Sequence, residues 1–134
     1  MIDLESPLFT ELAKSLREAY PGIYVTPMYV PVLGRFPAVS IIEADNATYL
    51  PTWSNRTMEQ YAQVMYEIGV YSNLKEGKKS QARAIMNTVD ELLQQYGFER
   101  MMCQAVQNYS DPTIYRMVGR YRAIVSDNLM IYRR

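Results

Sequence analysis

Residues 61–71 read YAQVMYEIGVY, and residues 78–96 read KKSQARAIMNTVDELLQQY. The first stretch alternates. Ala62, Val64, Tyr66, Ile68 and Val70 fall on one side, and Gln63, Met65, Glu67 and Gly69 on the other. A period of two with one apolar side predicts a strand that rests on a core. In the second stretch Ala82, Ile85, Met86, Val89, Leu92, Leu93 and Tyr96 recur at helical spacing, with polar residues opposite. That is one apolar stripe on an amphipathic helix, and Gly97 stands where a helix stop belongs. A half-buried strand followed by a one-sided helix predicts a sheet with helices packed on one face.

The pattern continues on both sides of this pair. Phe9, Leu12, Ala13, Leu16 and Tyr20 form one helix face, closed by Pro21-Gly22. Residues 23–28 are short and β-branched, and Pro27 and Pro31 confine them to a sheet edge or its end. Residues 36–44 read as a second strand after a turn at Leu33-Gly34-Arg35, and the two can pair as a hairpin. Residues 45–59 read as an irregular loop. It holds the turn formers Asn46, Pro51, Ser54 and Asn55, together with Tyr49, Leu50 and the single tryptophan, Trp53. A loop of that length in a compact domain is often functional. Asn73 and Glu76 have the spacing to cap the helix that follows.

The last third is β. Residues 98–108 have a mixed pattern, Ser110-Asp111-Pro112 makes a turn, and residues 113–125 alternate. In that long strand Tyr115, Met117, Tyr121, Ala123 and Val125 take one side, and Arg116, Val118, Arg120 and Arg122 the other. Its length predicts an overhang or a bend at Gly119. The reading is therefore one α+β domain, 1–134. It is a two-layer sandwich with a mainly antiparallel sheet, two helices on one face, and the order α-β-β-β-α-β-β.

Composition narrows the chemistry. Fourteen basic and fourteen acidic residues cancel, whereas a general nucleic-acid binder carries a basic surplus. There is no histidine, which removes triads built on imidazole and the commonest metal ligand. Cys103 is single and sits between Met102 and Gln104, so it reads as a small buried hydrophobe. Gly77-Lys78-Lys79-Ser80 lacks the upstream glycine and the Lys-Ser/Thr step of a phosphate loop. Two acidic pairs remain, Glu43 with Asp45 and Asp90 with Glu91, and the second reads as solvated charge on a helix. No run approaches the roughly 20 apolar residues of a membrane helix. Three Asn-X-Ser/Thr sequons, at Asn46, Asn55 and Asn108, read as chance because the first helix has no secretion-signal character. Nothing in the residues points to a catalytic group, a cofactor or a metal.

Twelve tyrosines and nine methionines suit interfaces as well as cores. The interface candidates are Tyr49, Trp53 and Arg56 in the loop, and Arg116, Arg120 and Arg122 on the last long strand. Arginines on one strand face suit a phosphate, or the carboxylates of an adjoining subunit. The same pattern also fits a merely solvated sheet face.

Residues 66–73, YEIGVYSN, lead into the 78–96 helix. Then come Gln107-Asn108, the turn at Asp111-Pro112, and residues 113–123, TIYRMVGRYRA. This succession resembles the tail terminator, or tail-completion, proteins of long-tailed bacteriophages. The second half resembles them in residue pattern, the first half in element order. The resemblance implies a virion protein assembled in the bacterial cytoplasm, a homo-oligomer expected to be a hexamer. Its ring caps the tail tube, ends tube growth and meets the head connector, while genomic DNA passes through without sequence-specific contact. The implied partners are the tail tube protein and the connector or stopper protein. Three rival readings are a stopper or adaptor of the same neck, a ferredoxin-like domain that binds a small molecule, and an enzyme that uses carboxylates alone, with Glu43 or Asp45 in a closed pocket.

Overall fold

The computed structural model describes residues 1–29, 34–48, 61–107 and 111–131. The elements are α1 (Glu5–Ala19), β1 (Tyr24–Thr26), β2 (Ala38–Thr48), β3 (Tyr61–Ser72), α2 (Lys78–Gln95), β4 (Glu99–Val106) and β5 (Tyr115–Ser126). The five strands form one sheet in the order β1-β2-β3-β5-β4. The fold is α+β, in the element order read from the sequence.

β3 is the inner strand between two long neighbours. It runs antiparallel to β2 from Ala38↔Tyr71 to Thr48↔Ala62, and antiparallel to β5 from Tyr61↔Ser126 to Ser72↔Tyr115. Its apolar side, Ala62, Val64, Tyr66, Ile68 and Val70, has no water contact. α1 supplies Leu8, Leu12, Ala13 and Leu16 to the same core, and α2 supplies Ala82, Ile85, Met86, Val89 and Leu93. Each fully buried Leu, Ile or Val contributes roughly 1.5–3 kcal/mol. The two helices are also tied directly, where the Tyr20 hydroxyl donates to the Ala84 carbonyl (3.1 Å) and lies 2.8 Å from Thr88 Oγ1.

Both strand glycines make room for a tyrosine two residues on. A Cβ on Gly69 would stand 3.1 Å from the Tyr71 ring and 2.6 Å from Ser40 Oγ. A Cβ on Gly119 would stand 3.1 Å from the Tyr121 ring. Gly119 therefore seats an aromatic ring, and the pairing of β5 with β3 runs through it without a register shift. β5 pairs with β3 along its whole length, so it does not overhang either.

Three local readings are corrected. β1 and β2 do not form a hairpin; they pair in parallel, with Tyr24 opposite Ala38. Eleven residues, 27–37, separate the two strands in sequence, where a tight hairpin needs as few as two. A turn begins this connection at once, where the Met28 amide donates to Thr26 Oγ1 (3.3 Å). Next, β2 does not stop at residue 44. It continues through a bulge between Glu43 and Asp45 to Thr48, so the turn formers Asp45 and Asn46 lie in a strand. The long partner β3 supplies the pairing that overrides their local preference. Finally, neither Asn73 nor Glu76 caps α2. Its cap residue is Gly77, at φ 83°, and no side chain bonds the free amides there. Gly97, at φ 99°, ends the helix as the sequence reading has it.

Ile85→Ala, at a fully buried stripe position, is expected to cost about 2–5 kcal/mol in urea unfolding, and the exposed Arg83→Ala less than about 0.5 kcal/mol. Lys79→Glu is expected to raise the unfolding midpoint. It places an acid in an uncapped first turn whose only charges are lysines, a gain of about 0.3–1 kcal/mol.

Candidate interaction surface

Alternation along β5 sends Met117, Tyr121, Ala123 and Val125 into the core and Arg116, Arg120 and Arg122 to the side without helices. The three arginines therefore share one face, as their spacing predicts. Register then decides what they meet. Glu67 on β3 stands opposite Arg120 and pairs with it at 3.5 Å. Glu99 on β4 stands opposite Arg122 and pairs with it at 3.2 Å. These are largely exposed pairs, worth about 0–1 kcal/mol each. Two of the three charges are thus already balanced within the chain. The Arg116 guanidinium lies over the Tyr71 ring, 5.5 Å from its centre, and its buried Nε has no hydrogen-bond partner. Tyr49, Trp53 and Arg56 lie outside the described residues.

Asp90 has a different role from the one its helix position suggests. It accepts from the Tyr121 hydroxyl (2.7 Å), from Arg100 (3.1 Å) and from Gln94 (2.7 Å). The carboxylate thus ties α2 to β4 and β5. Burial, followed by the bond to Asp90, pushes the Tyr121 phenol well above its ordinary pKa. Arg100 and Tyr121 are distant in sequence, so helix spacing alone gives no sign of this anchor.

Cys103 is exposed, not buried, because β4 is an edge strand. Partial desolvation of its sulfur raises the thiol pKa.

Glu43 is paired, but not with Asp45. It accepts from Asn46 Nδ2 (3.0 Å), while the same amide donates to the Ile2 carbonyl (2.8 Å) and ties the N-terminal segment to β2. Asp45 accepts from the Asn46 backbone amide (2.9 Å). The carboxyls beside Glu43 are Glu5 and Asp3. Burial first, and then these two neighbours, hold Glu43 above the ordinary carboxylate pKa, against the opposing pull of Asn46. The fully buried Tyr66 hydroxyl, which has no hydrogen-bond partner, feels the same acids; burial and their charge raise its pKa strongly.

An open groove of about 590 Å³ lies at the start of α1, lined by Leu4, Pro7, Leu8, Tyr96, Leu129 and Met130 among others. Among the described residues, no group of three acidic or cysteine side chains is placed to hold a metal ion. No described helix is long and apolar enough to cross a membrane. No protein-family model matches the chain, and no curated protein matches it either.

A raised folded-state pKa means that the folded chain binds the Glu43 proton more tightly than the unfolded chain does. Stability from this group is present in full below the unfolded value, about 4.3, and is lost as pH rises through the folded pKa. Glu43→Gln keeps an acceptor for Asn46 and cannot ionise. It is expected to be more stable than the parent at pH 7, with the advantage gone below about pH 4. Urea midpoints across that range check it.

Proposed function

We propose that the chain is a structural subunit of a long-tailed phage neck. In this reading it forms a ring at the top of the tail tube, ends tube polymerisation and joins the tail to the head connector. Its work is done by surfaces. The observation that carries the reading is the open side of the sheet. β4 is an edge strand of eight residues in which Met101, Cys103, Gln104 and Ala105 are all exposed, and a bulge between Arg100 and Met102 is its one irregularity. The opposite edge is the three-residue β1. A long, apolar-rich edge offers unpaired backbone groups to an adjoining chain. Exposed Met28, Tyr29, Leu129 and Met130 add apolar surface elsewhere. A ring subunit touches neighbours, tube and connector at once, and needs several such surfaces.

The balanced arginine face supports the same reading. A lumen through which DNA slides must not grip phosphates, and Arg120 and Arg122 are already paired with glutamates. The resemblance in element order supports the specific place in the virion, with assembly in the bacterial cytoplasm. A stopper or adaptor of the same neck would use the same surfaces on another partner. Binding to tail tubes as against portal adaptors separates the two.

The groove at the start of α1 favours a second reading, a domain that binds an apolar small molecule. That reading predicts a ligand-dependent rise in melting temperature. The neck reading predicts a six-fold ring with a central hole, seen by native mass and electron microscopy of one concentrated sample. A compact monomer that also fails to bind tail tubes would overturn it.

A further inference from the structure

The bulge in β2 decides which of its polar side chains share a face. Val39, Ile41 and Glu43 alternate onto the helix side of the sheet, and Glu43 stands opposite the fully buried Tyr66. The register shift between Glu43 and Asp45 inserts one residue. The next position on the helix side is therefore Asn46, opposite the buried Val64, and not Asp45. Re-aiming a side chain in this way is a common use of a bulge. Glu43 and Asn46 thus meet the N-terminal segment together. Asn46 Nδ2 donates to the Ile2 carbonyl (2.8 Å) and to Glu43 Oε1 (3.0 Å), and the side chains of Ile2 and Leu4 are buried in the core.

An acid on the core side of a sheet needs a partner for its charge. No lysine or arginine among the described residues forms an ion pair with Glu43. Glu5 of α1, Asp3 of the N-terminal segment and Tyr66 of β3 face it from the neighbouring elements, and Asn46 from its own strand. Two of these are acids, and the Tyr66 hydroxyl is buried without a hydrogen-bond partner. Among the described residues no group of three acids is placed to hold a metal ion. A proton is the counter-charge that remains. A neutral Glu43 carboxyl accepts from Asn46 and has a proton to donate to the adjoining Glu5 carboxylate. An ionised Glu43 can only accept, and it repels both Glu5 and Asp3. Burial, which holds Glu43 above the ordinary carboxylate range, acts in the same direction.

We infer that residues 1–4 form a proton-gated strap, which a proton held between Glu43 and Glu5 keeps seated on β2 and which loss of that proton loosens. The seated strap binds the Glu43 proton more tightly than the loosened one. Seating is therefore favoured in acid and is lost as pH rises through the folded value. Leu4 lines the groove at the start of α1, so one carboxyl on β2 governs a wall of that groove. The strap goes beyond the neck reading and does not depend on it.

Amide hydrogen exchange of the full chain, resolved by NMR and corrected for intrinsic rates, tests the strap. The reporter is the Leu8 amide, which donates to the Leu4 carbonyl (3.0 Å). The amides of the inner strand β3 are the reference for global opening. In wild type, Leu8 protection relative to β3 is expected to fall between about pH 4 and about pH 7. Glu43→Gln keeps the acceptor for Asn46 and cannot ionise, so the fall is expected to vanish. Glu5→Gln removes one repelling charge, and the fall is expected to shrink. A wild-type ratio that does not change with pH overturns the strap, and so does a Glu43→Gln chain that keeps the wild-type fall. Should Glu43→Gln fail to fold, an undiminished fall in Glu5→Gln overturns it. None of these outcomes bears on ring formation, which is judged separately by native mass.

Discussion

A strand held between two long neighbours can bury an entire apolar side only if helices close over it, and β3 imposes that condition on the whole chain. Its side chains from Ala62 to Val70 have no water contact on that side. α1 and α2 must therefore lie on the same face of the sheet, with their stripes inward. The Tyr20 bond to α2 fixes the helices to each other, and the Asp90 bonds to Tyr121 and Arg100 fix α2 to the far strands. The helices serve only one face. The other is left to cross-strand pairs, and it is there that the arginines are balanced by Glu67 and Glu99.

How much of this is legible in the sequence depends on the range of the interaction. β3, α2 and β5 carry uninterrupted periods, and their periods state both type and inward side. The direction of β1 carries no such mark, because alternation is the same in parallel and antiparallel strands. β2 is hidden beyond residue 44, because Asp45 and Asn46 look like turn formers until β3 is beside them. Gly77 is chosen over Asn73 as the α2 cap by the left-handed turn leaving β3, which no capping pattern displays.

The candidate surface is half legible. The spacing of Arg116, Arg120 and Arg122 puts them on one face, and that is where they lie. Their partners depend on register, and register depends on which strands are neighbours. For the same reason Asp90 looks like solvated helix charge, and Cys103, between Met102 and Gln104, looks buried. Two residues far along the chain claim the first, and the edge position of β4 exposes the second.

The central proposal is that the chain works through its surfaces, above all the open sheet edge at β4 (Glu99–Val106). Amide hydrogen exchange along β4, at low and at high protein concentration, tests it most directly. The account predicts that protection of the outward amides of β4 grows with concentration. Exchange there that is independent of concentration would contradict it.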